Sequence, residues 1–279
     1  MSERDTFDRV FLGSERIDAL PGDARGFAYG DGLFETMRVH RGLVPWWTQH
    51  VTRLVRGASH LSMPLPDPAQ LEREARALFD DDGDGVLKLI VSRGGGGRGY
   101  TPHPDAPPLW RVSRHALPAP LRPGGLVLRW CDLRLASQPA LAGIKHCNRL
   151  EQVLARAEWN DPAIDEGLLR SSDGDLVCAT AANVFVLHGD RWSTPSLEDC
   201  GVAGVCRAWV LAETGAIETR IAPEALQTAD AVLLCNAVRG ILPVARLEGR
   251  TWALHPAVAD LRARLARAHP GFAVDQEVA

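Results

Sequence analysis

The sequence predicts an α/β (α+β) fold in two domains, residues 1–118 and 119–279, and three observations lead there. Strand-like runs alternate with helix-spaced stretches along the whole chain. At 279 residues a single hydrophobic core is close to its practical size. The segment ALPAPLRPGG, residues 116–125, concentrates proline and glycine, which interrupt regular structure and mark a linker.

The elements follow in order. Gly22, Gly26, Gly30 and Gly32 surround RGFAYGDGLFETMRVHRG, read as a turn followed by a strand. Over residues 33–39, Leu33, Glu35, Met37 and Val39 alternate with Phe34, Thr36, Arg38 and His40, so Thr36 and Arg38 share one face. Residues 47–61 place Val51, Leu54, Val55 and Ala58 on one helical stripe with Arg53 at its edge. An acidic helix is expected over 67–79, and VLKLIVSRG reads as a buried strand running into the glycine-rich loop GGGGRGY. Beyond the linker LVLRW is a strand, and IKHCNRLEQVLARAEW spaces Leu150, Val153, Leu154 and Ala157 as an amphipathic helix, with Lys145 just before it. NVFVLHGDRW is a hairpin turning at Gly-Asp, CGVAGVCRAWVLAETG a glycine loop opening a helix, and AVLLCNAVRGILPV two strand pieces around a loop. Leu261, Leu265 and Ala268 give the last segment helical spacing with no function attached.

Composition narrows the function classes. A formal charge of −4 without a basic block disfavours nucleic acid and anionic membrane surfaces as partners, leaving small molecules. No apolar run reaches the roughly 18–20 residues of a membrane span, and the polar N-terminus gives no export signal. The six cysteines are scattered, with no Cys-x-x-Cys pair and no histidine cluster at ligand spacing, so no metal site and the reduced thiols of a cytoplasmic protein are expected.

Three features carry possible chemistry. Lys145 stands among Ala142, Gly143, Ile144 and Cys147, where desolvation lowers an ammonium pKa and makes a nucleophilic amine able to form a Schiff base. Taken alone, a surface lysine lying along apolar ground is the commoner reading. CGVAGVCR brings glycines to a helix start, where backbone N–H groups suit a phosphate, although plain turn glycines look the same. SRGGGGRGY offers Arg93 and Arg98 on a flexible loop, suited to closing over a carboxylate or to being a mobile hairpin.

Together, RGFAYGDGLFETMRV, HVTRL, LKLIVSRGGGGRGY, LAGIKHCNRLEQVLARA, AANVF, TP…CGVAGVCR and LLCNAVRGILPV resemble, in order and over residues 10–245, the fold-type IV pyridoxal-phosphate enzymes. SRGGGGRGY and AGIKHCNRLEQVL are similar to the 4-amino-4-deoxychorismate lyases within that superfamily rather than to its branched-chain or D-amino-acid aminotransferases. The resemblance implies two α/β domains with pyridoxal 5'-phosphate between them, a homodimer, and conversion of 4-amino-4-deoxychorismate to 4-aminobenzoate and pyruvate for folate synthesis. It makes Lys145 the Schiff-base lysine and proton shuttle and Arg53 the grip on the cofactor phosphate, with Val205, Cys206, Asn236 and Ala237 completing the phosphate cradle. Thr36, Arg38, Arg98 and Tyr100 fall where that family meets its substrate.

One position departs from the pattern. Five residues before the asparagine of AANVF, where the family has a glutamate holding the pyridine nitrogen, stands Cys178. A buried thiol is neutral and weakens the electron sink. Three readings follow: a lyase, with Thr180 assisting, because elimination and aromatisation demand less of the sink than transamination; another carboxylate as substitute, Asp175 being the nearest; or a slow or non-catalytic cofactor binder. A fold-type IV aminotransferase is the alternative enzyme.

Overall fold

In the computed structural model the chain is described over residues 8–79, 81–96, 99–103 and 105–273. It divides into two compact units, Met1–Pro118 with Lys145–Asn148, and Ala119–Ile144 with Arg149–Ala279. Lys145–Asn148, which the sequence reading puts in the second domain, therefore belongs to the first unit.

The first unit holds β1 (Asp8–Leu12), β2 (Glu15–Ile17), α1 (Arg25–Tyr29), β3 (Gly32–Val39), α2 (Trp47–His60), α3 (Pro68–Arg76), β4 (Gly85–Ser92) and β5 (Leu109–His115). Among the described residues its five strands form an antiparallel sheet in the order β2-β1-β5-β4-β3. The turn expected at residues 25–29 is the short helix α1, closed by Gly30 at φ 65°, a left-handed conformation that glycine adopts without strain. α3 begins where Asp67 accepts a hydrogen bond from the Gln70 amide at 2.8 Å, with Pro68 at its first position. α2 buries His50, Leu54, Gly57 and Ala58, while Val55, expected on the apolar stripe, is exposed. At the edge of the sheet β3 is lined by the returning chain: the Phe34 amide donates to the Lys145 carbonyl at 3.0 Å, and the Cys147 amide to the Gly32 carbonyl at 2.8 Å. This is why four residues distant in sequence fold with the first unit.

The second unit contains β6 (Leu126–Leu135), α4 (Leu150–Arg156), β7 (Glu166–Ser171), β8 (Leu176–Ala179), β9 (Asn183–His188), β10 (Arg191–Pro195), α5 (Val205–Thr214), β11 (Ile217–Thr219), α6 (Ala225–Thr228), β12 (Ala231–Asn236), β13 (Gly240–Leu247), β14 (Arg250–Thr251) and α7 (Pro256–Ala268). The main path of its sheet runs β11-β10-β9-β12-β13-β6-β7-β8, with β14 added on β13. The β10–β11, β13–β6 and β6–β7 pairs are parallel and the others antiparallel. Leu168, Val184, Val186, Leu226 and Leu234, all at or near zero exposure, make the core on which the strands rest. α7 packs with Val258, Leu261 and Leu265 inward. α4 departs from the amphipathic expectation: it buries Ala155, while Leu150, Val153 and Leu154 are 76%, 60% and 60% exposed.

Candidate active site

β3 sets up the first unit's contribution. Its two-residue period turns Leu33, Glu35, Met37 and Val39 inward and leaves Phe34, Thr36 and Arg38 half-buried on the other face. Glu35 is thus a carboxylate in a row of hydrocarbon side chains, 1% exposed. Such a charge persists only if it is compensated. His50 and Arg53, one turn apart on α2, supply the compensation: His50 Nδ1 lies 2.6 Å from one Glu35 oxygen, Arg53 Nε donates to the other at 2.8 Å, and Arg53 Nη2 also donates to Glu35. Burial alone raises the Glu35 carboxyl, but the hydrogen bonds from His50 and Arg53 outweigh it and hold it at about 2. His50 is pushed down, chiefly by burial, and the charge of Lys145 contributes to that lowering. Lys145 Nζ sits 4.2 Å from the centre of the Phe34 ring.

The glycine-rich loop is anchored by arginines. Arg25 donates through Nε to Asp31 at 2.8 Å and through its two terminal nitrogens to the carbonyls of Gly99 and Tyr100 at 3.1 and 3.0 Å. Arg93 donates to Asp31 at 3.0 Å and to the Ser62 and Leu61 carbonyls, each at 2.7 Å. This corrects the expectation for Arg93: it is 9% exposed and ties the loop to the fold instead of offering a charge to a ligand. Tyr100 is 85% exposed, its ring 5.4 Å from that of Tyr29. Arg98 lies outside the described residues.

In the second unit, Cys178 on β8 is buried among Cys131, Leu135, Trp159, Leu169 and Val177. Burial first, then neighbouring Cys200, pushes its thiol up to about 12, so it is neutral at physiological pH. The Thr180 hydroxyl, expected to assist Cys178, donates instead to Glu166. Glu166 also accepts from the Gly167 amide at 2.9 Å and from the Thr180 and Ala181 amides. Its carboxyl is raised by burial, with these hydrogen bonds opposing the rise. Asp175 lies 3.6 Å from Arg220, which also pairs with Asp173 and Asp199 at the rim of a small surface cavity. That pairing occupies the charge proposed as a substitute for the missing glutamate.

Val205 and Cys206 open α5, whose N-cap, Gly204, supplies no side-chain cap. A Cβ at Gly204 would stand 2.2 Å from Asn183 Oδ1, so the backbone is held against Asn183, which itself donates to the Val202 carbonyl at 2.9 Å. The result is a helix start that receives no side-chain cap from its N-cap residue. Cys206 packs fully buried against Cys235, and burial together with this contact raises its thiol well above the ordinary range. The Asn236 side chain accepts from the Val238 and Arg239 amides at 3.0 and 2.8 Å and donates to the Ala181 carbonyl at 3.2 Å. It shapes the turn that carries Ala237 and ties it to the Thr180–Ala181 corner.

The structure thus gathers Lys145, Arg53 and two residues the sequence reading missed, Glu35 and His50, in the first unit. In the second it gathers Cys178, Thr180, Asn236 and a third missed residue, Glu166. Signals existed for the first two: an acid in phase with Leu33 and Met37, and a histidine three residues before Arg53. Glu166 carries no local signal. Among the described residues there is no cluster of metal-binding side chains and no helix long and apolar enough to cross a membrane.

Residues 32–247 match the family model described as amino-transferase class IV. Aminodeoxychorismate lyase of Vibrio harveyi is 35% identical over 234 residues, covering 81% of this chain and 86% of that protein. The crystal structure of 4-amino-4-deoxychorismate lyase from Pseudomonas aeruginosa superposes with a TM-score of 0.86 at 39% identity, covering 92% and 98% of the two chains. The branched-chain amino acid aminotransferase from Escherichia coli, at 18% identity and a TM-score of 0.82 over 97% of each chain, shares the fold.

Proposed function

The chain belongs to the amino-transferase class IV family, whose cofactor is pyridoxal 5'-phosphate, and on that premise we propose that it is a lyase converting 4-amino-4-deoxychorismate to 4-aminobenzoate and pyruvate. The likeness to the Pseudomonas aeruginosa lyase across 92% of the chain carries this reading. When bound, the cofactor supplies an electron-withdrawing ring that makes the proton on the amino-bearing carbon of the substrate acidic.

The residues fit such a group. Lys145 offers the amine that would hold the cofactor's aldehyde carbon, and Arg53, its Nε–Nη2 edge gripped by Glu35, offers a permanent charge for the phosphate. The α5 start at Val205 and Cys206, with the turn shaped by Asn236 and carrying Ala237, offers backbone amides to the same group. In the reaction Lys145 Nζ would take the proton from the amino-bearing carbon; the ring C–O bond would break with its electron pair leaving on the enolpyruvyl oxygen, the ring becoming aromatic, and the enolpyruvate would take up one proton to become pyruvate. Thr36, Arg38, Arg98 and Tyr100 are assigned to the substrate, whose carboxylates suit the arginines.

Cys178 is assigned to the ring nitrogen. A neutral thiol there supports elimination over transamination, because aromatisation supplies a driving force that a transaminase lacks. A homodimer is also part of the reading, supported by the exposed Leu150, Val153 and Leu154 on α4. Cytoplasmic location is supported by six cysteines of which none is in a disulfide.

The test is to supply purified protein with 4-amino-4-deoxychorismate and measure 4-aminobenzoate and pyruvate together, with K145A as blank. Equal yields without a keto-acid acceptor, abolished in K145A, are expected. A requirement for the acceptor, with the pyridoxamine form accumulating, would make the protein an aminotransferase. Cofactor-loaded protein without product would make it a non-catalytic binder.

A further inference from the structure

The mechanism leaves His50 unused, and its two ring nitrogens differ. Nδ1 faces Glu35 at 2.6 Å. An ionised carboxylate only accepts, so Nδ1 carries the proton and, in the neutral ring, Nε2 is a bare acceptor. Nε2 is buried and has no hydrogen-bond partner among the described residues. A buried acceptor left without a donor is costly, and native proteins keep one where a ligand or a proton will meet it.

The charges acting on His50 are Glu35 from β3, Arg53 on its own helix, and Lys145 from the segment paired with β3. Glu35 favours a second proton on the ring, and Arg53 and Lys145 oppose it. Burial first, then Arg53 and Lys145, lowers the imidazole and keeps it neutral, so an added negative charge beside the ring favours a second proton. A phosphate ester docking at Arg53 brings that charge.

We propose that His50 takes up a proton on Nε2 when the cofactor's phosphate docks beside Arg53, making it a positioning residue that completes the anion site with a second cation. The inference rests on the reading that Arg53 meets the phosphate. Above the phosphate's own second pKa the proton comes from solvent: one N–H bond forms on Nε2, buffer loses the proton, and no electrons move. His50 then lies between Glu35 and the anion, donating from both nitrogens. Cofactor binding is thereby linked to pH through a group that never touches the reacting carbon.

Pyridoxamine 5'-phosphate tests this without bonding to Lys145. Its binding is measured calorimetrically at pH 8 in buffers of different ionisation enthalpy, for the unsubstituted protein and for H50N, R53A and a pyridoxamine control. H50N retains an amide donor for Glu35 and lacks the titrating nitrogen. The unsubstituted protein should take up about one more proton than H50N, in line with a single linked site, and pyridoxamine should show no such difference. The 15N resonances of the His50 ring should move to the doubly protonated form on addition of pyridoxamine 5'-phosphate, a readout that needs no variant. Equal proton uptake in both proteins, or an unprotonated Nε2 in the loaded protein, overturns the proposal while R53A still weakens binding. If R53A binds as tightly as the unsubstituted protein, the phosphate reading itself fails and takes this inference with it.

Discussion

The two units treat buried ionisable groups in opposite ways. In the first, Glu35 is ionised inside a row of hydrocarbon side chains because His50 and Arg53 both donate to it. In the second, the Cys178 thiol sits in an equally dry place with no hydrogen-bonded cation beside it among the described residues and stays neutral, while Glu166 is met by a hydroxyl and backbone amides and is pushed upward. Burial is common to both; the partner decides the charge. A guanidinium opposes desolvation with a full charge, whereas dipoles only moderate it.

Removing the acid of the first unit should break this contrast most severely. E35A removes the carboxylate that Arg53 and His50 share and leaves the His50 ring without its acceptor, and a loss of about 3–5 kcal/mol in chemical denaturation is expected. The acid limb should change with it. The folded Glu35 titrates at about 2 and the unfolded one at 4.5, so its stabilisation is complete above 4.5 and disappears as pH falls towards 2. E35A should lack that limb.

T180V should come next. Taking the hydroxyl from Glu166 is expected to cost about 1–3 kcal/mol. Here the pH slope has the other sign: Glu166 is raised in the folded state, so the unfolded chain releases its proton first and stability falls as pH rises above 4.5. In T180V that fall should extend to higher pH, because one of the bonds opposing the rise is gone. The smallest effect belongs to C178A, about 1 kcal/mol for a small buried void. Because the thiol is neutral throughout, the variant's stability–pH curve should run parallel to the parent's at neutral pH and below; a change of slope there would show that Cys178 carries charge.

Much of this was readable from local patterns. The period-two alternation of β3, the helical spacing of α2 and the hairpin of β9 and β10 are local, and so is the position of Lys145. The burial of Glu35 was present in the same alternation, since it falls in phase with Leu33 and Met37, yet an acid on an apolar face says nothing of its partners until α2 is laid across it. Glu166 was beyond reach: its hydroxyl partner, Thr180, lies fourteen residues away across the β7–β8 turn, and strand register decides the contact. α1 reads as a turn in the sequence because five residues with Gly26 among them and Gly30 directly after carry little helical periodicity. The parallel neighbours β13 and β6, more than a hundred residues apart, have no signature in either segment. The stripe on α4 showed where apolar residues lie but not whether anything in the same chain covers them.

The segment that carries Lys145 has one more consequence. β3 ends its sheet, and an uncovered terminal strand with eight residues of backbone is a template for sticking to other chains. Through the Phe34–Lys145 and Gly32–Cys147 hydrogen bonds, that stretch of chain also works as a selvedge. A fragment stopped at Pro118 would lose this strip together with Lys145: residues 32–34 of β3 would be bared as a raw β-edge, and the fragment is expected to self-associate more readily than the whole chain.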